Sequence, residues 1–409
     1  MNTHGQGGVF PKRGHTERNG SLTGRYMLLQ GLNWSAFAVI WVYAVVLLRG
    51  SGLSYSQAGL VISLANILAV FAQQGLSAWA DRAAVDSSAK AAVGLVSLGA
   101  AALLFLLAGF GDKALAGVCF CLIGVAIIGV QPFLNAAAME RVQQGLALNY
   151  GLARGIGSVS YAAFSGLAGV ILGRFGGSGL VATYIFLSLA VLLALAAFSA
   201  GAGRTVSVRQ PGETLSGAAL LRRNPQFCWF LASSVLLYAA HMMAITYMDA
   251  IVGRAGGTEA ELGLAVAVGA AAEFPAMALL QRIRRRFSAK QILLFSAVSF
   301  AVKLLCLAAA VSMTWVYLAS LLQLAAYSLF TGMSVYYVTD VVDSANQAKG
   351  QALCSGASTV GAVLGNYAGG MLLEHLSVGR TMLFGALLAG AGAVLLTRCF
   401  NGSTAPSKV

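Results

Sequence analysis

Stretches of about twenty apolar residues, the length an α-helix needs to cross the hydrocarbon core of a bilayer, recur along this chain between short charged or glycine-rich breaks. The pattern predicts twelve spans, at residues 26–48, 56–79, 91–110, 114–138, 151–173, 179–202, 226–251, 260–281, 291–310, 313–338, 350–373 and 381–398. The longest polar interruption, residues 202–224, falls at the midpoint with six spans on either side. It divides the chain into a tail (1–25), a first bundle (26–202), a linker (203–224), a second bundle (225–398) and a C-terminal tail (399–409). Within the linker, Leu215 to Arg223 suits either a short amphipathic helix on the membrane surface or a plain connector. The expected fold class is an all-α membrane protein of two six-helix bundles.

Composition narrows the function classes. Of 409 residues, 58% are hydrophobic and only 10% charged, with mean hydropathy +0.79; a soluble domain carries about 25% charged residues, so a soluble enzyme is excluded. In a soluble chain the formal charge of +13 would point to nucleic acid. Here the basic residues mark topology instead, and no nucleic-acid partner is expected. With the N-terminus inside, 19 Lys and Arg fall in the tails and loops of the inner side and 5 in those of the outer side, while Arg154 and Lys303 lie within spans. That asymmetry puts both termini in the cytoplasm of a cell-membrane protein. The six cysteines lie in or beside apolar runs without metal-ligand spacing and read as small buried apolar residues. The polar first 25 residues and the long apolar run after them read as a tail and a retained first helix.

An internal repeat supports the midpoint. A displacement of 199 residues lays Gly151, Ala153, Gly157 and Gly166 on Gly350, Ala352, Gly356 and Gly365, and Gly59-Leu60 corresponds to Gly263-Leu264. Matches at equivalent places in two halves are expected of a parallel repeat. The runs Gly361-xxx-Gly365-xxx-Gly369 and Gly151-xxx-Gly155 give helix faces without side-chain bulk, suited to helices that slide or to close static packing.

In such a chain the informative residues are the ionisable ones inside spans, because each is costly unless paired or wet. Glu273, in Gly269-Ala-Ala-Ala-Glu-Phe-Pro275, lies nine residues before Arg282, about 14 Å from the inner end of its helix. It is a candidate proton carrier or substrate ligand, or else a paired structural carboxylate. Lys303, about 20 Å in from the same side on the next helix, has a stem long enough to pair with Glu273. Arg154 lies only a few residues into the fifth span, where it faces the cavity, snorkels, or meets Glu140. His241 joins a proton path or packs as a core histidine, and Asp249 belongs near the outer mouth. Polar and aromatic residues placed to line a cavity are Asn33, Trp34, Asn135, Tyr161, Tyr238, Gln323 and Tyr327, together with Gln30, Asn66 and Gln131.

These features resemble the major facilitator superfamily over essentially the whole chain, and within it the branch of lactose permease, nucleoside-proton symporters and phenylpropionate permeases. Asn149-Tyr-Gly-Leu-Ala-Arg154-Gly-Ile-Gly157 is similar to that branch's fifth-helix motif, whose arginine faces the central cavity. Glu273 is similar to its eighth-helix acid, Lys303 falls where lactose permease has a ninth-helix arginine, and Gly350-Gln-Ala resembles the opening of its eleventh helix. In the loop after the second span, Ser77-Ala-Trp-Ala-Asp81-Arg82-Ala-Ala84 keeps the family's Asp-Arg gate pair and lacks its two glycines. Asn135 and Ala136 stand near the sugar-binding carboxylate position of lactose permease, and the tenth span has neither His nor carboxylate, which argues against a galactoside. The drug antiporters' fifth-helix proline signature is absent from Gly155 to Gly173.

The resemblance implies a secondary transporter working by alternating access, a monomer in the lipid bilayer with a small-molecule substrate. It implies no cofactor beyond a proton gradient. The expected mechanism is symport of a small polar or anionic organic solute: Glu273, Lys303 and His241 couple the proton, and Arg154 and the aromatics bind substrate. A drug or sugar exporter, a uniporter, or a membrane-embedded solute sensor are the competing readings. No HExxH, G-x-S-x-G or paired catalytic carboxylates occur, so no enzyme is expected.

Overall fold

The computed structural model describes residues 13–80, 87–108, 112–200, 216–343 and 346–401, and these are helical almost throughout. The first predicted span is α1 (Arg13–Trp41) with α2 (Ala44–Gly50), followed by α3 (Tyr55–Ala80), α4 (Ser87–Ala108) and α5 (Lys113–Gln143). One long element, α6 (Tyr150–Ser199), holds the fifth and sixth spans, and α7 (Gly217–Arg223) is a short connector. The second half runs α8 (Pro225–Thr246) with α9 (Met248–Arg254), α10 (Glu259–Arg284), α11 (Ala289–Ala309) and α12 (Met313–Leu321). A π turn (Leu324–Ser328) then leads into α13 (Leu329–Val341), α14 (Gln347–His375) and α15 (Val378–Asn401).

Among the described residues nine of these helical stretches are long and apolar enough to cross a membrane, or ten with the α1/α2 pair, which bends by 40°. Two further features explain the difference from twelve predicted windows. First, α6 is interrupted at Gly176, whose φ of 65° and ψ of −167° are open only to glycine. Tyr26 packs against both Tyr150 and Phe198, with ring centroids 6.1 and 5.2 Å away. These two residues sit at opposite ends of α6, so the element doubles back on itself. Second, α14 has the length but carries Gln347, Lys349, Gln351 and several Gly and Ser, which lower its hydropathy. Helix α1 starts at Arg13, well before the predicted boundary near residue 26, and of the two forms considered for the linker α7 takes the amphipathic helix: Leu220 is buried, Arg222 and Arg223 exposed. Large apolar side chains left outside, such as Phe71, Phe105, Phe186 and Leu193, form the kind of surface lipid covers.

Local signals begin these helices. Asp112 accepts from the Ala114 and Leu115 amides at 2.8 and 3.1 Å and caps α5, while Thr258 with Glu261 and Ser288 with Gln291 form capping boxes on α10 and α11.

The two bundles meet along two crossings, α6 with α10 and α3 with α14. Small residues permit both. A Cβ on Gly263 of α10 would strike the Ser165 carbonyl and the Tyr43 hydroxyl, and one on Gly59 of α3 would strike the Asn366 carbonyl and the Tyr247 hydroxyl. The two contacts are copies of one another. The Tyr43 hydroxyl donates to Ser165 O at 2.9 Å, the Tyr247 hydroxyl to Asn366 O, and each tyrosine stands where the first helix of its half breaks. The Gly59/Gly263 repeat seen in the sequence is therefore a repeated interface. The Gly361, Gly365 and Gly369 face, by contrast, lies on Val235, Ala239 and Tyr247 of its own bundle. Its role is close static packing. Gly155 has nothing within 4 Å of where its Cβ would stand.

Candidate functional site

Between the bundles lies a cavity of about 440 Å³ lined by residues of both halves, inside the range of about 300–1,000 Å³ found for small-molecule pockets.

The first-half wall is built on Trp34. Its indole lies so close over Gly157 that no β-carbon fits there, which gives a physical reason for the second glycine of Arg154-Gly-Ile-Gly157. The Arg154 guanidinium stands 4.4 Å from the Trp34 ring centre and donates to Ser158 Oγ at 3.0 Å. A cation over an indole face is attracted by the ring quadrupole while keeping donors free for a ligand. Behind the indole is an amide network. Trp34 Nε1 and Gln131 Nε2 donate to Gln30 Oε1 at 3.1 and 3.2 Å, and Asn33 Nδ2 donates to Gln131 Oε1 at 3.0 Å. Tyr161 meets Trp34 edge-on at 6.1 Å. Glu140, the other partner considered for Arg154, accepts instead from Ser88 Oγ at 2.5 Å.

The second-half wall carries the remaining charges. Lys303 is 2% exposed, and its ammonium donates to Gln323 Oε1, while Gln323 Nε2 donates to Glu273 Oε1 at 3.1 Å. The direct Glu273–Lys303 pair expected from helix depth is thus replaced by a relay through an amide. A glutamine suits this position because it accepts from the cation and donates to the anion at once. The backbone positions it: Gln323 immediately precedes the π turn, whose extra residue re-aims side chains, a device frequent at functional sites. Pro275, two residues beyond Glu273, removes a helical amide donor from α10 at the same level. His241 stacks on Tyr327 with centroids 4.6 Å apart, and its Nδ1 is buried without a hydrogen-bond partner, as is Ser320 Oγ.

Of the sequence candidates, Glu273, Lys303, His241, Arg154, Trp34, Asn33, Tyr161, Gln323 and Tyr327 line this one cavity, with Asn66 and Gln131. Two do not. Asn135 sits behind the wall, accepting from Gln131 Nε2 at 2.9 Å and from Tyr26 at 3.3 Å. Tyr238 is turned to Thr331, 3.1 Å from its hydroxyl, with its ring against Tyr327. Both are long polar groups on the right helices but satisfied one layer out. The Asp81–Arg82 gate pair lies outside the described residues. Lining residues not anticipated are Ser158, Thr246, Ser320 and Asn366. Asn366 was the findable one, a buried amide in a glycine-rich helix, here accepting from Thr246 at 2.6 Å. The basic residues on the cavity wall are an arginine, a lysine and a histidine, against one carboxylate.

The cavity is shut at the end bearing α2 and α9. There the Tyr55 hydroxyl donates to Asp249 at 3.4 Å, Arg49 covers the Tyr55 ring at 3.9 Å, the Ser56 amide donates to Glu374 at 3.0 Å and Ser63 Oγ to Val363 O at 2.9 Å.

Comparison with known proteins was made on sequence and on structure. The sequence model of the MFS_1 like family matches residues 24–384. The chain is 28% identical over 178 residues to a maltose permease of Geobacillus stearothermophilus, a stretch covering 43% of this chain and 45% of the permease. The chain is therefore matched to less than half the length of that relative. The structure is similar to that of the nucleoside transporter NupG (TM-score 0.78, 15% identity, covering 93% of this chain and all of that one). It is also similar to an auto-inhibited POT family peptide transporter (TM-score 0.74, 12% identity, covering 95% and 98%).

Proposed function

The chain belongs to the MFS_1 like family of multi-pass membrane transporters, which move solutes rather than convert them, and from that premise we propose that it is a proton-coupled symporter of a small polar or anionic organic solute. The observation that carries this reading is the Glu273–Gln323–Lys303 relay facing Arg154 across one closed-ended cavity. Glu273 takes the proton. Once neutral, it no longer needs the Gln323 donor, and Gln323 is free to turn with Lys303 toward substrate. Arg154, held over Trp34, supplies a fixed cation from the other bundle, so a bound solute touching both walls draws the halves together. Rocking of the bundles about this site then exposes it to either side in turn. With both termini cytoplasmic and the chain acting as a monomer in the cell membrane, the shut end bearing α2 and α9 is the outer one.

The test is solute-induced pH change in everted vesicles, screening sugars, nucleosides and carboxylates against wild type and Glu273→Gln. The expected result is a substrate-triggered proton flux that disappears in the variant while substrate binding persists. Solute uptake with no proton movement overturns symport in favour of a uniporter.

A further inference from the structure

The charges on the cavity wall do not balance, and two of its buried polar atoms lack partners. Lys303 is 2% exposed, and the group receiving its ammonium is the neutral amide of Gln323 rather than a carboxylate. His241 is 4% exposed and Ser320 2%, yet His241 Nδ1 and Ser320 Oγ have no hydrogen-bond partner. Buried polar groups are nearly always satisfied, and exceptions in a cavity wall mark where a ligand or water belongs. All three groups line the same cavity as Gln323. His241 is within electrostatic reach of Lys303 and stacks on Tyr327, which follows Gln323 by four residues. Ser320 precedes Gln323 by three, and both lie by Gly269, where an added Cβ would stand 3.7 Å from Ser320 O and 3.9 Å from Gln323 Cβ. Together they form a cationic corner with two further donors in the second bundle, apart from the Arg154–Trp34 wall of the first.

We propose that this corner is the docking subsite for the carboxylate of the transported solute, and that the solute is a small organic monocarboxylate. This deepens the transport reading above and rests on it. Lys303 supplies the charge, and His241 Nδ1–H and Ser320 Oγ–H donate to the carboxylate oxygens, a geometry a neutral amide or alcohol fills only in part. The cavity of about 440 Å³ lies within the range of ligand pockets, room enough for such a solute.

The experiment is calorimetric binding to purified full-length protein in detergent, pairing benzoate with benzamide and hexanoate with hexanamide, alongside a neutral nucleoside and a disaccharide. Each acid is expected to bind at least about tenfold more tightly than its amide, the scale of a charge-assisted contact. The preference falls to within about twofold in Lys303→Met, is retained in Lys303→Arg, and is reduced in Ser320→Ala, a change small enough to leave folding intact. Amides binding as well as acids to wild-type protein overturn the proposal, as does tight binding of the nucleoside or disaccharide that is indifferent to Lys303→Met. The vesicle assay separates the two readings. Proton-coupled uptake of a neutral solute sinks the carboxylate subsite and leaves symport standing, whereas acid binding and uptake without proton flux keep the subsite and sink symport.

Discussion

A lysine ammonium at 2% exposure inside a membrane-spanning helix is among the most costly groups a fold can hold, and the same is true of a carboxylate beside it. Gln323 is what makes both tolerable, one side-chain end on each charge. Replacing it with leucine leaves Lys303 and Glu273 each short of a charge-assisted hydrogen bond. The expected loss is about 2–3 kcal/mol of stability, read by denaturant unfolding in detergent, together with loss of solute-dependent proton flux. Gln323→Glu is the informative companion. It gives Lys303 a counterion but sets a second carboxyl against Glu273, so stability should recover only where the two share a proton, while transport stays impaired because the lysine is then held by a fixed partner rather than a releasable one. A variant Gln323→Leu with wild-type stability and transport would remove the relay from the mechanism.

At the level of elements, the four helices that bring the bundles together carry their function in glycines and two tyrosines. Tyr43 and Tyr247 each end a broken helix and reach across to the backbone of a partner, with Gly263 and Gly59 leaving room for the hydroxyls. Gly263→Ala is diagnostic because elsewhere in a helix Gly→Ala gains about 1 kcal/mol from propensity. Here the added carbon strikes the Ser165 carbonyl and the Tyr43 hydroxyl, and overpacking of this kind costs about 1–3 kcal/mol. That cost falls only on the arrangement closed at the α2 and α9 end. The population should move toward the arrangement open at that end, by about tenfold for each 1.4 kcal/mol. Thiol labelling of a cysteine at Ser63, now buried between α3 and α14, reports it: labelling rises several-fold in Gly263→Ala, and an unchanged rate rejects the interface role.

For the whole molecule, what matters is the balance between two arrangements of the bundles, and one exposed contact makes it depend on pH. Hydrogen bonds from Ser54 and from the Ser56 amide hold the Glu374 carboxyl below its ordinary range. A depressed carboxyl contributes its stabilisation fully above the ordinary value of about 4.3 and loses it as pH falls through the lower, bonded value. The Glu374 contribution to closure should therefore be flat from neutral pH down to the ordinary carboxylate range and weaken only below it. Labelling at Ser63→Cys across a pH series checks this, and Glu374→Gln should remove the acid limb. A limb centred well above the ordinary value would assign the dependence to another group. The family match over residues 24–384 and the likeness to transporters with 12–15% identity agree with a fold held by helix packing rather than by particular side chains.

By itself the sequence determined the membrane helices, the two halves and most of the residues that carry charge in the cavity. The physical reason is cost: about twenty apolar residues in a row have no other stable use, and an ionisable residue inside such a run persists only where something compensates it. Hence Glu273 and Lys303 were legible as functional candidates from position alone, whereas Arg154, only a few residues into its span, was singled out by the resemblance of its Arg154-Gly-Ile-Gly157 motif. Tertiary structure decided how they are paired. Helix depth placed Glu273 and Lys303 at neighbouring levels, but the rotation of each helix, and the π turn that re-aims Gln323, are set by packing. For the same reason Asn135 and Tyr238, equally polar and on suitable helices, lie one layer behind the wall, while Ser320 and Asn366 stand on it. Which bundle a glycine face meets was also invisible in the sequence. Spacing shows that a face is bare, and only the assembled halves show that Gly361, Gly365 and Gly369 pack inside one bundle while Gly59 and Gly263 join the two.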